Sequence, residues 1–117
     1  AALVVVFCMA PTPGDVGGCG QSPDLLDPPA FFANKKATDC SRCKECDLLS
    51  ESCSRACDGG FPVATAFPKE CYPLVHDGEV CLRALRHASC DDYSSYMDDA
   101  SPTTASECNF CPPEKSP

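Results

Sequence analysis

Cysteine occupies twelve of 117 positions, and no other feature limits so strongly what this chain can fold into. About one cysteine in ten residues, at this length, marks a disulfide scaffold in which cross-links replace the apolar burial that a short chain cannot supply. The apolar inventory agrees. Ile and Trp are absent, and Leu, Val and Phe together number 21, six of them within the first 19 residues. What remains can build one thin core and one small domain, with sulfur bridges making up the difference. Bridges at this density form in an oxidising compartment, so the expected location is extracytoplasmic: the cell envelope or the medium. The net charge is −8, with nine basic side chains against 17 acidic ones and no basic run. That balance argues against nucleic-acid binding, which needs clustered Lys and Arg.

Ala1 to Ala10 is an uncharged apolar run. It is too short to span a bilayer, where about 20 residues are needed. It suits the apolar centre of a secretory signal peptide, and a Val-rich run of this length also suits a buried strand. Val16-Gly17-Gly18-Cys19 resembles a bacterial lipobox, in which small residues precede a cysteine that becomes the lipid-modified start of the mature protein. Parity favours that cut. With Cys8 removed and Cys19 carrying lipid, Cys40, Cys43, Cys46, Cys53, Cys57, Cys71, Cys81, Cys90, Cys108 and Cys111 remain, an even set for a closed disulfide framework. The expected organisation is a leader over 1–19, a polar, Pro-rich tether over 20–29 and one disulfide-stapled domain over 30–117. A diacylated Cys19 would hold that domain on a membrane surface.

Within the domain, Asp27-Pro28-Pro29 is a helix-start signal, and it predicts a short helix over Ala30 to Ala37 that turns Phe31 and Phe32 inward. Asp39 to Asp47 carries Cys40, Cys43 and Cys46 at three-residue spacing. Ser50 can cap a second helix bearing Cys53 and Cys57, which Gly59-Gly60 stops. Helical neighbours three or four apart share a face with Cβ atoms about 5–6 Å apart, farther than a disulfide allows, so each cysteine must reach outward for its partner. An antiparallel helical pair follows, with Cys46–Cys53 and Cys43–Cys57 as the expected rungs. Gly59 to Pro73 reads as an irregular connector with Phe61 and Phe67 packed inward. Asp77 reads as the cap of the strongest helix, whose apolar face is Val80, Cys81, Ala84, Leu85 and Ala88. Cys90 to Met97 reads as another short helix. Five cysteines precede the connector and five follow it, so full pairing requires an odd number of bridges between the halves.

Three chemistries compete with plain bridging. Cys40-x2-Cys43-x2-Cys46 shares the opening of an iron–sulfur motif, but its next cysteine comes too late, and Cys108-x2-Cys111 adds a distant pair for a zinc site. Thiolate ligands are disfavoured where bridges form, so no metal and no cofactor is expected. His76 and His87 could serve a nucleophilic cysteine but read as surface residues. Asp91, Asp92, Asp98 and Asp99 lack the alternation and the Gly of a calcium loop and read as a solvated acidic face. No phosphate loop or nucleophile elbow is present. The expectation is a protein that is not an enzyme and has no catalytic residue.

The leader ending Gly17-Gly18-Cys19-Gly20, the Cys53-Ser54-Arg55-Ala56-Cys57-Asp58 motif and the stretch Glu79 to Leu85 running into Ala88 to Tyr93 together resemble the cysteine-rich lipoproteins of myxobacteria and related predatory bacteria. The resemblance implies an envelope location and no reaction. The fold expected is small, disulfide-rich and mainly α, with short helices and irregular loops joined by about five disulfides. Its expected role is structural or binding. The alternatives are a zinc or iron–sulfur module on Cys40, Cys43 and Cys46, and a secreted inhibitor-like scaffold presenting Phe61 to Tyr72.

Overall fold

In a computed structural model of the chain, residues 24–111 are described. The expected leader, its lipid-acceptor Cys19 and the start of the tether lie outside the described residues. From Asp27 onward the start signal works as read. The Asp27 carboxylate accepts the Ala30 amide at 3.1 Å, and Pro28 and Pro29 occupy the first helical turn, where a missing N–H costs nothing. The helix does not stop at Ala37. α1 runs Pro28–Glu45, because no Gly or Pro interrupts it and Asp39 faces the interior. It ends at Cys46, and Asp47 turns the chain in the left-handed region at φ 55°, a conformation that Asp tolerates better than most residues.

α2 (Glu51–Ala56) begins where Ser50 predicts, with the Ser50 hydroxyl accepting the Cys53 amide at 3.1 Å. α3 (Val75–His87) starts before Asp77 rather than on it. Asp77 lies inside the first turn, and its carboxylate reaches back to accept the Leu74 amide at 2.9 Å. α4 (Cys90–Tyr96) is capped by Ser89, and a single 3₁₀ turn covers Ser106–Cys108. Among the described residues there is no strand, only an antiparallel bridge between Leu25 and Leu74. Leu26 donates to Pro73 O and Val75 to Asp24 O, each at 2.9 Å. Residues 24–27, part of the stretch read as a tether, are therefore strapped to the entrance of α3.

The molecule is small, mainly helical and disulfide-rich, as expected, with five bridges among the described residues: Cys40–Cys57, Cys43–Cys53, Cys46–Cys90, Cys71–Cys111 and Cys81–Cys108. The expected rungs are corrected by one step. α2 does pack antiparallel on α1, but Cys53 meets Cys43 and Cys57 meets Cys40. Cys46 already caps the end of α1, and the Leu48 amide returns to Cys43 O at 2.9 Å, so the turn between the helices sits beside Cys43. Cys46 points past the turn and bonds Cys90. That bridge is the single link between the two cysteine halves, which satisfies the parity requirement.

The core is as thin as composition implies. Among the described residues the buried apolar ones are Phe31, Cys43, Cys53, Cys71, Cys81, Leu85, Tyr93, Met97 and Ala105, so nearly half of these are bridged cysteines. Tyr93 and Cys81 are fully enclosed. Phe31, Phe32, Phe67 and Phe110 cluster at one end, with neighbouring ring centroids 5.2–6.1 Å apart, a spacing typical of edge-to-face packing. α3 approaches α1 closely at Gly78, where a Cβ would stand 2.7 Å from Leu26 Cδ1 and 3.3 Å from Phe31 Cδ1. Phe61 departs from the expectation. It is 43 % exposed and stacks under Arg55, whose guanidinium lies 5.8 Å from the ring centroid, because the connector leaves the core before it returns at Phe67.

Candidate functional site

α1 places Lys35 and Asp39 one turn apart, with Lys36 and Arg42 on the flanks of the same helix. The Asp39 carboxylate is buried and shared: Tyr93 donates its hydroxyl to Oδ1 at 2.6 Å, and Lys35 Nζ donates to Oδ2 at 2.8 Å. Burial, then the hydrogen bond to Asp39 and the Asp39 charge, push the Tyr93 phenol well above the usual tyrosine range. Arg42 lies over the Tyr93 ring, 5.5 Å from its centroid, and donates to Ala88 O and to Glu45 Oε1. Its buried Nε has no partner. Asp39, Tyr93, Lys35 and Arg42 bond mainly to one another and to nearby groups of the fold, which marks them as a structural network at the centre of the domain.

Beside it lies a cleft of about 200 Å³ between α1, α2 and the connector. Phe32, Lys35, Lys36 and Asp39 supply one wall, and Ser52, Arg55 and Ala56 supply another. Phe61 to Ala64 and Met97 complete the lining. Lys36 Nζ donates to Ala56 O at 3.1 Å and to Asp58 O, so it caps the C-terminal end of α2. Arg55 meets Ser52 Oγ at 3.3 Å and Glu51 Oε1 at 3.6 Å on the open side. Asp99 approaches from beyond α4, where Oδ2 accepts the Glu51 amide at 2.9 Å and Oδ1 accepts the Ser52 amide at 3.0 Å. Those amide bonds hold the Asp99 carboxyl below its ordinary range.

The residues singled out from the sequence fall differently. Cys40, Cys43 and Cys46, the possible cluster ligands, are bonded to three different sulfurs, and Cys108 and Cys111 bond to Cys81 and Cys71. Among the described residues no group of three or more His, Cys, Asp or Glu side chains is placed to hold a metal. His76 and His87 are exposed and meet no thiol. Asp91, Asp92 and Asp98 are exposed as read, but Asp99 clamps the start of α2. Lys35, Lys36, Asp39 and Arg55 are not legible as a group in the sequence. Their spacing along α1 carries a helical period, but nothing local reports that α2 and the connector close over it. Among the described residues no helix is long and apolar enough to cross a membrane. Searches of protein-family models, of curated proteins and of solved structures found no match for the chain.

Proposed function

We propose that this is an exported, non-catalytic protein of the cell envelope, a compact disulfide-stapled domain with a binding or structural role, held at the membrane through lipid on Cys19. The observation that carries the reading is the use of sulfur as core: five bridges among the described residues, four of whose cysteines are themselves buried. Such a domain is at home where thiols are oxidised and is out of place where glutathione keeps them reduced. The lipobox-like Val16-Gly17-Gly18-Cys19 supports anchoring rather than release, and Asp24, strapped to the entrance of α3, follows Cys19 by a short Pro-containing stretch.

Intact mass of natively expressed protein, taken before and after reduction, tests the whole reading. The expected result is a mature chain beginning at acylated Cys19 that gains two hydrogens per bridge on reduction and accepts no alkylating reagent beforehand. A chain that keeps residues 1–18, or one whose Cys40 to Cys111 thiols are labelled freely while folded, would remove it. A mature chain without acyl mass would place the protein in the medium instead and remove the anchor alone.

A further inference from the structure

Three of the nine Lys and Arg side chains of this acidic chain line the cleft of about 200 Å³ between α1, α2 and the connector. Lys35 is matched by Asp39, but the other two are not matched in the same way. Lys36 gives its hydrogen bonds to the backbone carbonyls of Ala56 and Asp58, which carry no formal charge. Arg55 meets Glu51 only at 3.6 Å in a solvent-exposed pair, a contact of little energetic weight. The nearby Asp99 carboxylate accepts the Glu51 and Ser52 amides and keeps its negative charge near Arg55, but it is not among the residues that line the cleft. Among the lining residues themselves three are cationic and one, Asp39, is anionic, and apart from Ser52 the rest of the wall is apolar, with Phe32, Phe61, Val63 and Met97 prominent.

We propose that this cleft binds a small amphipathic carboxylate, an aromatic or branched-chain acid, with its head between Lys36 and Arg55 and its apolar body against Phe32, Phe61 and Met97. Size and charge select this class. At about 200 Å³ the cavity is smaller than the roughly 300–1,000 Å³ of drug-sized sites, so it holds one ring or a short branched chain. Arg55 already rests on Phe61, and a guanidinium stacked on a ring can grip a carboxylate edge-on with paired hydrogen bonds, here by exchanging its long contacts to Ser52 Oγ at 3.3 Å and Glu51 Oε1 at 3.6 Å. A phosphate would leave the apolar wall unused. This deepens the binding role proposed above and does not depend on where the chain is anchored.

Hydrocinnamate is a suitable probe, with hydrocinnamyl alcohol and acetate as partners that lack the charge and the ring. Each is titrated into the oxidised protein and followed by backbone amide shifts. The expected outcome is a saturable response to hydrocinnamate centred on Lys36, Arg55 and Val63, with a Kd of about 1 mM or tighter, and binding about tenfold weaker for either partner. Arg55→Gln should weaken hydrocinnamate about tenfold at unchanged thermal stability. Val63→Asp, on an irregular segment, should do the same by repulsion. Shifts that do not saturate, that centre elsewhere, that are equal for acid and alcohol, or that survive both substitutions would overturn the proposal. None of those results would alter the mass and bridge measurements that test export.

Discussion

Asp39 and Tyr93 stand 54 positions apart and meet through one buried hydrogen bond of 2.6 Å. A hydrogen bond to a charged group contributes about 1.5–3 kcal/mol, and removing one partner exposes the other to the full cost of desolvation. Tyr93→Phe keeps the ring beneath Arg42 but leaves Asp39 Oδ1 without its donor. Denaturant unfolding with the bridges intact should show a loss of about 1.5–3 kcal/mol. Combining it with Asp39→Asn should cost less than the sum of the two single changes by about 1 kcal/mol, as expected for groups in contact. Strict additivity would mean that the pair does not act as a unit. Tyr93 and Met97 lie four apart on the short helix read from the sequence, and both are buried. Asp39 reads as one more acid among 17, because nothing beside it in the chain reveals a partner so distant.

Helix ends leave amides and carbonyls without partners in their own helix, and in this molecule other elements supply several of them. α1 serves two neighbours: Lys36 bonds Ala56 O at the end of α2 and Asp58 O just beyond it, and Arg42 bonds Ala88 O at the end of α3, each a cation placed where the helix dipole favours it. Asp99 performs the complementary service at the start of α2. Because its carboxyl is held below the ordinary aspartate value of 3.8, the folded state favours the charged form. Its contribution is complete above the unfolded value and is lost as pH falls through the depressed folded one. Acid melting curves of the native protein should therefore fall more steeply below about pH 4 than those of Asp99→Ala. The two proteins should converge where the carboxyl is protonated in both states. Parallel curves across that range would show that the clamp contributes nothing.

At the scale of the whole molecule, the five bridges among the described residues divide the labour. Cys40–Cys57 and Cys43–Cys53 fasten α2 to α1. Cys71–Cys111 and Cys81–Cys108 fasten the C-terminal segment to α3 and to the connector before it. Of these bridges, Cys46–Cys90 alone links the two assemblies covalently, across 44 residues of sequence. In the chain-entropy account a loop of that length is worth about 4 kcal/mol, and the remaining bridges shorten the loop that it closes. Replacing Cys46 and Cys90 together by Ala should therefore cost about 2–4 kcal/mol and lower Tm by about 4–8 °C for each kcal/mol. Helical content should be preserved, since α2 and α4 keep their Ser50 and Ser89 caps. Loss of helix with the bridge would show that the two assemblies do not stand separately.

Cysteine number and parity, the Ser50 and Asp27 start signals and the Gly59-Gly60 stop act over a few residues or over simple counts, so they are legible in the order of the residues alone. They determine a small, mainly helical, cross-linked domain and an odd number of bridges between its halves. Which cysteine meets which is decided in three dimensions. A row at three-residue spacing looks the same after sliding by one rung, and only the placement of the turn beside Cys43, with Cys46 carried beyond the helix end, breaks the tie. The same reason hides the buried Asp39–Tyr93 pair and the cationic cleft. Each is made by side chains on separate elements, and what brings them together is the packing of α2, α4 and the connector on α1, a property of distance in space that spacing along the chain does not contain.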